Sequence, residues 1–350
     1  MQNRILTILL CIFSFGASTI FAEPIKRVFI LASYEKEHVC GYPQEIGIVS
    51  GLSKEGWFKG LNLEIGQYYM DTKRTNNTPD LMKQEARAAI KKIDAFKPDV
   101  LLTIDDNAFR EVGLAYVGRT DIAVVFSGLN GQPEAYNKKI PIMENRLFPG
   151  KNVTGVYEKL YVKRSLEVMQ RAVTEVNGTK FIGITDYSPT GNAITRQFAI
   201  ELKSLPAGVV WELKRVRDWQ GYTQLIRQIN KDNRVKAIYP VALTLKTDKN
   251  EVYTALEIFK WTTENSNKPE MALNYFFSKI GLFGGAAVDF KSMGFLAGKK
   301  AGKILNGTKP GTLPIEDAPD YAIVFNLKRA RALGIEIPFP LLTAADNLYK

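Results

Sequence analysis

Hydrophobic residues in this chain fall into short continuous runs separated by stretches with helical spacing. "RVFILAS" (27–33) is apolar at almost every position, the pattern of a strand covered on both faces. Residues 43–59 have helical spacing, and "LNLEIGQYYM" (61–70) predicts a second strand. Thr78-Pro79 opens a helix over 78–96, a capping residue followed by a first-turn proline. "PDVLLTI" (98–104) predicts the third strand, 107–117 its helix, and "IAVVFSG" (122–128) the fourth strand. A loop rich in Pro, Gly and Asn then runs from about Gly128 to Asn152, a length uncommon inside one compact unit.

The alternation restarts near residue 153. A helix over 161–175 carries Val162, Leu166, Met169 and Val173 on one face. Strands follow at 180–185, 208–216, 235–241 and 270–277. Between them come a helix after Pro189, one with Trp219, Tyr222, Leu225, Ile226 and Ile229 inward, and one over 249–264. "GLFGGAAVDFKSMGFLAGKKAGKIL" (281–305) sets a glycine-rich strand before a helix with Met293, Leu296, Ala297, Ala301 and Ile304 inward, ended by Asn306-Gly307. "DYAIVFNLKRARALGI" (320–335) adds a strand and a short helix, and "IPFP" (337–340) leads into a last helical turn. Repeated strand–helix–strand units predict an α/β fold of two Rossmann-like halves, each with a parallel sheet.

The first residues stand outside this pattern. "MQNRILTILLCIFSFGASTIFA" has Arg4, an apolar run from Ile5 to Phe15, and small residues ending at Ala22. That is the layout of a signal peptide over 1–22, and it predicts export to the periplasm. The apolar run is shorter than the roughly 20 residues a membrane span needs. Cys11 lies inside that segment, which leaves Cys40 with no partner for an internal disulfide.

The chain carries 47 basic and 36 acidic residues. Its lysines are scattered among acids and never form a block, so the charge predicts no nucleic-acid partner. The one histidine, His38, removes most hydrolase arrangements, which need a histidine base. No zinc spacing, nucleophile elbow or phosphate loop is present, so neither metal nor cofactor is expected. His38 and Cys40 form a conceivable nucleophilic pair, but residues two apart on a loop rarely face each other. The bland reading is a loop histidine and an incidental thiol.

What remains are polar residues at strand ends, where α/β sheets bind ligands. The candidates are Ser33, Tyr34, Asp105, Asp106, Asn107, Ser127, Gly128 and Asn130 in the first half. In the second they are Tyr187, Thr190, Gly191, Asn192 and Phe283. Hydroxyls, amides and helix N-termini can hold a carboxylate, and an aspartate can hold an ammonium group. Asp106 and Asn107 have an equal claim as helix caps. The division of labour expected is Asp105 toward the ligand and Asp106 capping the helix with Asn107.

Several segments in order resemble the ABC-transporter substrate-binding proteins with the type I periplasmic-binding-protein fold, the group that includes tryptophan- and tyrosine-type binding proteins. They are "SYEKEHVCGYPQEIGIVSGL" (33–52), "YYMDTKRTNNTPD" (68–80), "KPDVLLTIDDNAF" (97–109), "TDIAVVFSGLNG" (120–131), "NVTGVYE" (152–158), "YSPTGN" (187–192), "GGAAVDFKSMGFLAGKKAGKILNGTKP" (284–310) and "FNLKRARALGIEIP" (325–338). The resemblance implies two lobes joined by three crossings around a ligand. Lobe 1 would hold 23–153 with about 281–308, and lobe 2 would hold 154–280 with about 309–350. The family's strand-tip residues fall on Ser33, Tyr34, Asp105, Asn107, Ser127, Tyr187, Thr190 and Gly191. Glu35 and Tyr42 stand where that group usually has a histidine and a tryptophan, so its ligand chemistry does not simply carry over.

The function expected is a non-enzymatic, monomeric carrier that captures a small molecule, an amino acid or similar zwitterion first, and delivers it to an ABC permease in the inner membrane. The alternative is a ligand sensor reporting to a membrane sensor kinase. An enzyme using paired aspartates is a third reading.

Overall fold

A computed structural model describes residues 25–247, 251–318 and 321–350. The segment read as a signal peptide lies outside them.

The apolar runs and helical stretches become an alternating series. It opens with β1 (Lys26–Ala32), α1 (Gly41–Lys54), β2 (Leu63–Tyr69), α2 (Pro79–Phe96), β3 (Val100–Ile104), α3 (Asp105–Glu111) and β4 (Ala123–Leu129). Short α4 (Pro133–Asn137) lies within the expected loop, followed by β5 (Val153–Tyr157) and α5 (Val162–Ala172). Then come β6 (Lys180–Asp186), α6 (Pro189–Glu201), β7 (Val210–Val216), α7 (Trp219–Lys231), β8 (Val235–Pro240), α8 (Ala255–Asn265) and α9 (Tyr275–Lys279). The chain closes with β9 (Gly284–Val288), α10 (Phe290–Leu305), β10 (Glu316–Asp317), β11 (Tyr321–Asn326), α11 (Leu327–Ala332), α12 (Phe339–Thr343) and β12 (Asn347–Tyr349). The cap read from sequence forms, with Thr78 accepting from the Leu81 N–H, and Ser188 accepts from the Gly191 N–H at the start of α6.

The first sheet has the order β10-β5-β4-β3-β1-β2, with parallel pairing throughout. Its central strands are buried on both faces, which is why they read as unbroken apolar runs. Phe29, Leu101, Val124 and Phe126 pack in one cluster, while Val28, Ile30, Leu102 and Val125 pack in the other. Each such fully buried side chain contributes about 2 kcal/mol of hydrophobic free energy.

The second half has a parallel sheet β7-β6-β8 and a smaller sheet β12-β11-β9. Residues 270–274, expected as a strand to 277, form single bridges that join the two: Ile238 to Glu270, Met271 to Gly284, and Asn274 to Val288. The β9–β11 pair is antiparallel, so this half is mixed rather than wholly parallel.

The expected lobe limits need correction. The β9 strand, expected in lobe 1, pairs with β11 in lobe 2. The β5 strand extends lobe 1 beyond residue 153 to Tyr157, and β10, expected in lobe 2, pairs with β5. The α10 helix packs against α1, β3, β4 and β5. The chain therefore crosses after β5, at Asp289, and after β10. The first and third crossings are bonded together: Ala318 N–H donates to the Tyr157 carbonyl (2.7 Å) and the Tyr161 hydroxyl to the Ala318 carbonyl (2.6 Å).

The α1 and α10 helices run parallel and touch backbone to backbone. A Cβ on Gly47 would lie 2.1 Å from the Lys291 carbonyl oxygen, and one on Gly294 2.1 Å from that of Gln44. One on Gly298 would lie 2.2 Å from the Ile48 oxygen. The glycines thus set the helix separation. Gly298→Ala should lower the unfolding free energy by about 3 kcal/mol, the upper range for overpacking a core contact. An unchanged urea midpoint would contradict this packing.

Candidate functional site

The carboxyl ends of β1, β3, β4 and β5 in lobe 1 face those of β6 and β8 in lobe 2. Between them lies a narrow cleft with a cavity volume of ≈ 50 Å³. Tyr34, Asp105, Asn130 and Glu158 line it from lobe 1; Thr190, Ile194, Leu243 and Phe259 line it from lobe 2.

Asp105 is its centre. The α3 helix opens at Asp105 itself rather than at 107, and the residue's φ of 64° lies in the left-handed region that L side chains rarely adopt. Gln44, on the first turns of α1, donates to the Asp105 Oδ1 (3.1 Å) and to the Cys40 carbonyl. Ser127 donates to the Gln44 Oε1 (2.7 Å) and so fixes the amide's orientation. Asp105 Oδ2 is buried with no hydrogen-bond partner. Burial pushes the carboxyl up to about 8, the Gln44 hydrogen bond opposes this, Asp106 adds to it, and Lys73 reduces it. A strained backbone and an incompletely paired buried acid persist where a function uses them.

Glu158, the residue after β5, is the second acid of the cleft. It is buried, and Asn130 Nδ2 donates to its Oε2 (3.1 Å). Burial holds its carboxyl well above the usual range, with Asp105 and Asp106 adding to the effect. Its carbonyl accepts from Gln197 on α6, which ties the crossing to lobe 2. Tyr34 is buried and lines the cleft with Asp105 and Thr190; burial and then Asp105 raise its phenol, and Thr190 opposes this. The Lys73 Nζ stands 5.7 Å from the Tyr34 ring centroid.

His38 and Cys40 also line the cleft, but not as a nucleophile and its base. The Cys40 N–H donates to His38 Nδ1 (3.2 Å), so that nitrogen accepts from the backbone rather than from the thiol. Burial pushes the imidazole well below its usual value and the thiol well above its own, the opposite of activation. Asn274 Nδ2 approaches Cys40 Sγ at 3.8 Å from the opposite lobe. No group of three His, Cys, Asp or Glu among the described residues is arranged to hold a metal.

The sequence candidates sort into four groups. Tyr34, Asp105, Asn130 and Thr190 line the cleft. Ser33, Ser127 and Gly128 support it from behind. Ser33 Oγ accepts from the Ala108 N–H, and thus caps α3 in place of the expected acid. Gly128, at φ 79°, leaves room for Asp105 and Gln44, whose atoms a Cβ would meet at 2.8 Å.

Asp106 and Asn107 do not cap the helix. Asp106 accepts from the Asn130 and Gly131 N–H groups and the Tyr136 hydroxyl, stapling the loop after β4. Asn107 donates to Thr72 and accepts from Arg110.

The rest lie off the cleft. The Tyr187 ring packs under Arg215 and Arg217, at 3.9 and 4.7 Å, and is 47% exposed. Asn192 holds the Tyr187 carbonyl and Arg215. Gly191 packs on Asp186, and Phe283 packs on Phe325 in the lobe 2 core. Glu158 and Lys73 were missed. Glu158 carried the same signal as Asp105, an acid directly after a buried strand; Lys73 lies in a loop with no such mark.

The model of the family described as ABC transporter substrate binding protein matches residues 42–349. A conserved domain protein from Vibrio cholerae superposes with a TM-score of 0.69 at 21% identity, over 93% of this chain and 99% of that one. An ABC domain from Streptococcus pneumoniae, solved with L-Trp, gives 0.68 at 19% over 92% and 99%. A ligand-free, open substrate-binding protein with adhesive properties from Clostridium difficile gives 0.62 at 20% over 93% and 100%. At these identities the structures show a shared fold. No curated protein matches the sequence.

The folded chain binds a proton at Asp105 that the unfolded chain releases, since the carboxyl sits at about 8 against a reference of 3.8. The stabilisation is complete below about pH 4 and is lost as pH rises through about 8. Urea denaturation of the ligand-free protein should show wild type losing up to ~1.4 kcal/mol per pH unit relative to Asp105→Asn between about pH 5 and 7. A difference that does not change with pH would mean that this carboxyl is solvated.

Proposed function

Because the chain belongs to the ABC transporter substrate-binding protein family, we propose that it is exported to the periplasm, closes its two lobes around a small solute and delivers that solute to an inner-membrane ABC permease. Hinge closure at the three crossings is the motion this division of lobes supports. The solute carries a protonated amine, as an amino acid or similar zwitterion does. One observation carries that reading: Asp105 presents a buried, unpaired carboxylate oxygen to a cleft lined by both lobes. The L-Trp held by the pneumococcal structure agrees with an amine-bearing ligand. The protein acts as a monomeric carrier, without turnover of the solute.

A thermal-shift screen of amino acids, nucleosides and small acids identifies the solute, since a ligand that binds only the folded state raises its melting temperature. Asp105→Ala should then weaken binding by about 10- to 100-fold, the loss expected for a hydrogen bond to a charged group. Tyr187→Ala, off the cleft, should stay within about twofold, as surface changes do. Calorimetry in which Asp105→Ala keeps wild-type affinity would remove the cleft assignment. Uptake of the solute should fall in cells that lack the protein; unchanged uptake would remove the carrier role.

A further inference from the structure

We infer that the cleft selects an organic cation, with an ammonium group held by Asp105 and Glu158, an apolar body against lobe 2, and no carboxylate required. This rests on the solute-binding reading above and narrows its ligand class.

The acids outnumber their counter-charges. Gln44 serves one Asp105 oxygen and leaves the other buried without a partner. Glu158, 2% exposed in the same cleft, receives one hydrogen bond at Oε2, from Asn130. Among the described residues, Lys73 is the one side chain lining this cleft that carries a positive charge, because burial keeps the His38 imidazole neutral. Two buried carboxyls in mutual electrostatic reach are costly to ionise together, and a single ligand cation relieves both. The Tyr34 ring beside them adds a face that favours a cation.

A ligand carboxylate finds one cationic side chain in the lining, Lys73, against the two acids. At four helix N-termini around the cleft one donor is already bound to the protein's own side chain, while α1, which follows Cys40, has no side-chain cap. Ser33 takes the Ala108 N–H, Ser188 that of Gly191, Asn274 that of Phe277, and Asp289 that of Ser292. An incoming carboxylate at those four ends would displace one of these and would oppose ionisation of Asp105 and Glu158. The opposite wall is apolar: Ile194, Leu243, Ile258, Phe259, Leu273 and Phe277. The Phe259 and Phe277 rings meet edge to face with centroids 4.6 Å apart, a firm surface for a flat or branched hydrocarbon.

Phenethylamine, phenylalanine and 3-phenylpropionate share one apolar body and differ in charge, so calorimetry and thermal shift with these three test the inference. Phenethylamine should bind at least as tightly as phenylalanine, and 3-phenylpropionate should give no shift. Asp105→Asn and Glu158→Gln, which keep side-chain size, should each weaken phenethylamine by about tenfold or more. Both variants should retain wild-type circular dichroism. Phenylalanine binding more than about tenfold tighter than phenethylamine, or any binding of 3-phenylpropionate, would overturn the cation inference. So would failure of all three when the broad screen finds a neutral or acidic solute; the carrier reading would then stand. A screen with no solute of any class would remove both.

Discussion

Contact between the α1 and α10 backbones is the constraint on which the site depends. Gly47 and Gly51 on one helix face Gly294 and Gly298 on the other, with no side chain between them. This contact fixes a helix reached late in the chain onto the first lobe. The α1 helix follows Cys40, which lines the cleft, and its first turn carries Gln44 to Asp105. Gln44 is bound on one side by Ser127 and on the other reaches Asp105. A shift of α1 by even one side chain's width would break that chain of hydrogen bonds. The glycines therefore act on the cleft without touching it.

The acid they position is a liability to the folded state. Asp105 combines a left-handed backbone with a desolvated carboxyl that has one bonded oxygen. Each term costs stability of order 1–3 kcal/mol, and the rigid sheet behind it must supply the difference. The neighbouring Asp106 has the opposite character. Its two oxygens take three hydrogen bonds from the loop after β4, so it stabilises the wall beside the cleft. Adjacent residues of one type thus divide into one that faces the cleft and one that braces its wall. The difference lies in which way each side chain points from a single turn of backbone.

That direction is what the sequence could not supply. Alternation of apolar runs and helical spacing located the strands and most helices, because those signals are local. It also located the strand tips, and Tyr34, Asp105, Asn130 and Thr190 do line the cleft. Tyr187 occupies an equivalent tip yet turns outward beneath Arg215, a residue brought near only by the β6–β7 pairing. Phe283 looked like cover for a ligand, but Phe325 from β11 packs on it. The lobe assignment of β9 failed for the same reason. Its partner is an antiparallel strand that lies beyond α10, and no local pattern reports that pairing. Ser33 as the cap of α3 is likewise a contact between residues far apart in the chain.

The interleaving of the crossings has a consequence for how the molecule is made. Lobe 1 is interrupted after β5, and its remaining pieces, α10 and β10, follow the strands β6 to β9 of lobe 2. During synthesis, the glycine face of α1 has no partner until the ribosome has produced most of the chain. Contacts of such long sequence separation form slowly and leave apolar surface uncovered meanwhile. Lobe 2 is interrupted in turn by α10 and β10, so neither lobe can mature alone. Two lobes with separate sheets must therefore be born as one cooperative unit.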